Sequence, residues 1–119
     1  MPHPYRDVAI AAVFNTKQAK RLEGHDSFSI TIEAALGVID AAGNEPHQID
    51  GILGQFSADL GYLLRIMPAW VPAGTFGAIP AILDAANAIA AGHCRSILIA
   101  GGGAGTYTDA SATAPWTRT

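Results

Sequence analysis

The stretch from Pro72 to Gly103 constrains the chain more than any other. It reads as a glycine-containing turn, a helix with almost no polar face, and a short strand ending in glycines. From Ile79 the large apolar residues fall at Ile82, Leu83 and Ile89, with alanines at nearly every remaining place, which is helical spacing with an apolar surface nearly all round. Such a helix belongs inside a domain. Its alanines let other backbones come close, and Asp84 and Asn87, three apart, mark the one face suited to water or a polar partner. Because proline deep in a helix removes a hydrogen bond and clashes with the preceding turn, Pro80 requires either that regular helix begins near Ile79 or that Thr75 to Gly77 form a distorted first turn.

A chain of 119 residues is one domain at most, and 50% hydrophobic with 14% charged residues makes it globular. A net charge of −3, with basic residues gathered only at Lys17, Lys20 and Arg21, argues against nucleic acid as a partner. No apolar run approaches a membrane span, and Met1 to Arg6 lacks the pattern of a secretory signal. The lone Cys94 excludes an internal disulfide and points to a reducing, cytoplasmic setting.

Taken in order, Asp7 to Val13 (DVAIAAV) is a continuous apolar run of strand length, the pattern of a central parallel strand covered on both faces. Phe14 to Gly24 reads as an exposed loop. Asp26 or Ser27 caps a helix whose Phe28, Ile32, Ala35, Leu36 and Ile39 share one face and whose stop is Gly43. Asn44 to Gln48 makes a tight connection. Ile49 to Phe56 is a second strand in which Gly51 and Gly54 imply close approach of another backbone. Ala58 to Met67 forms a short helix ended by Pro68, Ala69 to Ala73 a third strand, and Ser96 to Ala100 a fourth. Strands alternating with helices predict an α/β domain with a mostly parallel sheet and helices on both faces. Residues 1–105 would form this unit and 106–119 a loose tail without core-forming pattern. The apolar helix then needs a cover from outside the chain.

Few motifs carry chemistry. Gly101-Gly102-Gly103-Ala104-Gly105 after a strand resembles a phosphate-binding loop, but Thr106 to Thr119 contains Pro115 and no helical stripe to supply the helix N-terminus that loop requires. A structural glycine turn is the simpler reading. His3, His25, His47 and His93 are scattered singly, so no metal site is expected. Cys94 lies between His93 and Arg95, both of which could lower its pKa, yet the plain reading is a small residue in a helix-to-strand turn. Asp40 and Asp84 occupy the polar edges of their helices, and Asp109 lies in the tail.

The segments DVAIAAV, AALGVIDAAG, PHQIDGILGQF and GTFGAIPAILDAANAIAAGHCRSILIAGG together resemble the first half of a thiolase-superfamily domain, closest to the thiolase-like lipid-transfer proteins. The last block is the most specific. The resemblance implies a thiolase-like layered half-domain, lipid metabolism, and a parent acyltransferase or aldolase activity that forms or cleaves carbon–carbon bonds on a coenzyme A thioester, which is a substrate and not a covalently bound cofactor. In catalytic members this helix carries a nucleophilic cysteine at its N-terminus, where the helix dipole stabilises a thiolate. Here the matching place falls on Gly74 if aligned by Gly74 to Gly77, or on Thr75 if counted back from Gly92; neither is a thiol. A threonine there is more often a cap than a nucleophile. The family's site is also completed by histidine and cysteine from a second half that this chain lacks, so the chain alone is expected to be inactive. The resemblance further implies a homo-oligomer or a partner subunit that supplies the second half. Three readings follow: a fragment or truncated subunit of a thiolase-like protein acting on acyl-CoA, a non-catalytic thiolase-like binding or assembly subunit, and an unrelated nucleotide-binding α/β domain.

Overall fold

The computed structural model describes residues 3–17, 24, 26–54, 57–68, 70–72 and 78–101. Within these the chain is a small α/β fold: helix α1 (Ser27–Ala41), a 3-10 turn (Pro46–Gln48), strand β1 (Gly51–Gly54), helix α2 (Ser57–Leu63), helix α3 (Ala78–Ala90) and strand β2 (Ile97–Ala100). The two strands are parallel, with Gly51 opposite Ile97 and Gly54 opposite Ala100. On the other side of β1, Trp70 forms an isolated parallel bridge with Gly51, its N–H donating to Asp50 O at 3.2 Å and its carbonyl accepting from Ile52 N at 3.1 Å. This bridge is what the described part of the expected Ala69–Ala73 strand amounts to; Ala69 and Ala73 lie outside the described residues.

Of the two expected caps, Asp26 rather than Ser27 starts α1. Asp26 accepts from Ser29 N at 2.7 Å, and Ser29 Oγ accepts in return from Asp26 N at 2.9 Å, a reciprocal cap that satisfies two donors the helix itself leaves open. The backbone hydrogen bond from Ser29 is the main reason the Asp26 carboxyl lies below its usual value of 3.8. A depressed carboxylate pKa contributes stability that is present above the unfolded-state pKa and lost as pH falls through the folded one. Acid unfolding of the native chain should therefore steepen below about pH 4 relative to Asp26→Asn, which keeps an acceptor but cannot titrate. Parallel acid titrations followed by circular dichroism would show it, and superimposable curves would count against the cap's role.

The three α-helices among the described residues end by one device. At the end of α1, Gly43 N donates to Asp40 O and Asn44 N to Ile39 O; at the end of α3, Gly92 N donates to Ile89 O and His93 N to Ala88 O. Gly43 and Gly92 take the left-handed backbone (φ 71° and 82°) that this closure needs. Helix α2 closes identically, with Arg65 N to Tyr62 O and Ile66 N to Gly61 O, but the left-handed residue is Arg65 at φ 57°. No glycine announces that stop, so the helix ends at Leu63, well before the expected Met67 and Pro68. The early stop has a packing consequence: Ile66 turns back into the core.

One face of the sheet, carrying Ile52, Leu98 and Ala100, packs with Ala35 and Ile39 of α1, Leu60 of α2 and Ile66. Burying the isoleucine and leucine side chains among them contributes about 1.5–3 kcal/mol each. Alternation puts Leu53 and Ile97 on the opposite face, and α3, whose residues stand outside that cluster, packs on both strands there. The alanine stripe Ala81, Ala85 and Ala88 faces inward. Ile79, Ile82 and Leu83 face outward, so the helix that reads as apolar all round shows its largest side chains to the surroundings. On α1 the inward residues are Ile30, Thr31, Ala35 and Ile39, whereas Leu36, expected on the inner face, is 47% exposed. The buried Thr31 is satisfied within the helix, donating from Oγ1 to Ser27 O at 2.7 Å.

The expected opening strand is corrected. Residues 4–7 form a turn, Val8 to Val13 belong to no strand, and Ile10 and Val13 are 69% and 79% exposed. An apolar run of strand length becomes a strand only where an edge accepts its main chain. Instead the segment is held at its ends: Tyr5 Oη donates to Asn87 Oδ1 on α3, and the Phe14 ring lies over Gly37 on α1.

Candidate functional site

Among the described residues, two places hold features that bear on function. The first is the start of β1 and of β2, tied together by Asp50. Its Oδ1 accepts from Ser96 N at 2.8 Å and from Arg95 N at 3.0 Å, and its Oδ2 from Arg95 N at 3.0 Å. Ser96 O accepts in turn from Asp50 N and Gly51 N at 3.0 and 3.1 Å. The carboxylate thus clamps the turn that delivers β2 to its register. Asp50 was not singled out from the sequence, because an acidic residue before a strand has no periodicity to mark it.

Cys94 sits beneath this clamp, buried with 6% of its surface exposed. Its sulfur is packed so closely under Gly51 that a Cβ added there would lie 3.2 Å from it. Burial raises the thiol pKa, and the negative charge of Asp50 raises it further. His93 and Arg95, which could have lowered it, are both exposed, and the shift runs the other way, in keeping with the plain reading of Cys94 as a small residue in the helix-to-strand turn. A buried thiol held in its protonated form is a poor nucleophile. Iodoacetamide at neutral pH should alkylate Cys94 at least about tenfold more slowly in the folded chain than in denaturant. Timed quenching and intact-mass analysis measure the ratio, and equal rates would mean the thiol is open.

The second place is an open apolar trough of about 780 Å³ along the outer edge of β2. Its walls are residues 8–15, Val38 and Ile39 of α1, Ile82 and Ile89 of α3, and residues 95–101. Arg95 is the only charged residue among its described lining. Tyr5 and Arg95 are the titratable side chains among its described lining, so what the described walls offer is mainly apolar contact. Because α3 contributes Ile82 and Ile89 to a wall, the exposed side of that helix and the trough form one continuous apolar surface.

Of the remaining sequence candidates, Gly101 of the glycine run lines the trough. Gly74 and Thr75 lie outside the described residues, as do His25, Lys20, Arg21, Gly102 to Gly105 and the 106–119 segment. His3 packs against Tyr5 with ring centroids 5.2 Å apart, and His47 meets Glu45 at 3.3 Å on an exposed turn. Among the described residues no group of three or more His, Cys, Asp or Glu side chains is placed to hold a metal ion, and no helix is long and apolar enough to cross a membrane. Comparisons with protein-family models and with curated proteins each found no match.

Proposed function

We propose that the chain is a fragment or truncated subunit of a thiolase-like protein that acts on acyl-CoA, and that it performs no carbon–carbon bond chemistry by itself. One observation supports the reading: the strands of two segments that resemble that family, GILG of PHQIDGILGQF and ILIA of the alanine-rich last block, pair in parallel, with α2 and α3 between them in the chain. The outward Ile79, Ile82 and Leu83 and the apolar trough are what an α/β half left without its second layer would expose. With the matching place of the nucleophile at Thr75 or Gly74 and Cys94 buried and protonated, no thiolate is available to take an acyl group.

A second reading, a non-catalytic thiolase-like binding or assembly subunit, is supported by the largely apolar lining of the described trough. Both readings imply a homo-oligomer or a partner that covers α3. The test uses the full 119-residue chain. Light scattering in dilute solution should find association, and a monodisperse monomer would remove the half-domain reading. Thermal shift should then rise with acyl-CoA and not with NAD or ATP, with no acyl adduct at Thr75 by peptide mapping. Stabilisation by acyl-CoA without adduct supports the first reading, and no response to either ligand class favours the assembly subunit. Stabilisation by NAD or ATP alone would put the nucleotide-binding reading first.

A further inference from the structure

We draw no further inference here: the strongest candidate, the apolar trough between residues 8–15, α3 and the outer edge of β2, is an unpartnered face, and nothing in the structure shows what covers it.

Discussion

Gly54→Ala should lower the stability of the fold by about 2–6 kcal/mol, a large part of the roughly 5–15 kcal/mol that holds a domain of this kind together. Two effects add. Gly54 has φ of 115°, a backbone region that a side chain enters only at a cost of about 1–3 kcal/mol. A Cβ there would also collide with the carbonyl oxygen of Ala100, and it would come within 3.2 and 3.3 Å of that residue's carbonyl carbon and nitrogen. Main chain in a paired strand cannot rotate aside as a side-chain end can, so overpacking adds about 1–3 kcal/mol. The control is Gly43→Ala. That glycine also has positive φ, 71°, but a Cβ there meets nothing within 4 Å, so only the left-handed cost of about 1–2 kcal/mol applies. Urea denaturation of the two variants should show the Gly54 change to be the larger by at least about 1 kcal/mol. Equal losses would mean that the β1–β2 approach at Ala100 is looser than described.

The same glycine shows what a sequence of this kind discloses. Glycines inside the Ile49–Phe56 run pointed to a backbone passing close by, and Gly54 against Ala100 is such an approach. The start and stop of α1, at Asp26 and Gly43, were legible because they rest on local chemistry. The α2 stop was not, because Arg65 takes the left-handed conformation without a glycine to signal it. Strand pairing is the non-local part. DVAIAAV and SILIA carry the same kind of apolar run, yet only the second finds an edge to bond with, and composition does not distinguish a strand from a strand-like segment tethered by Tyr5 and Phe14. Exposure on α3 was illegible for a related reason: alanines and isoleucines both count as apolar, and packing against two short strands selects the small ones for the inside.

Asp50 was invisible in the pattern for want of any period, although its loss is the other change expected to be severe. Asp50→Ala removes the acceptor of the Arg95 and Ser96 amides, of which the Ser96 bond is partly buried. Hydrogen bonds to a charged acceptor contribute about 1.5–3 kcal/mol, and an orphaned amide adds a desolvation cost, so a loss of about 2–4 kcal/mol is expected. Asp50→Asn should lose less, since its amide oxygen can still accept from one of the two N–H groups. Cys94 supplies a readout that stability alone would not move. Because the Asp50 charge raises the Cys94 pKa after burial does, Asp50→Asn should lower that pKa while leaving the thiol packed beneath Gly51. The pH dependence of iodoacetamide modification in the folded Asn variant should therefore shift toward lower pH than in the native chain. A shift accompanied by little unfolding would tie the carboxylate to both the register of β2 and the inertness of the thiol. An unchanged profile would mean that burial alone keeps Cys94 protonated and that Asp50 acts only as a clamp.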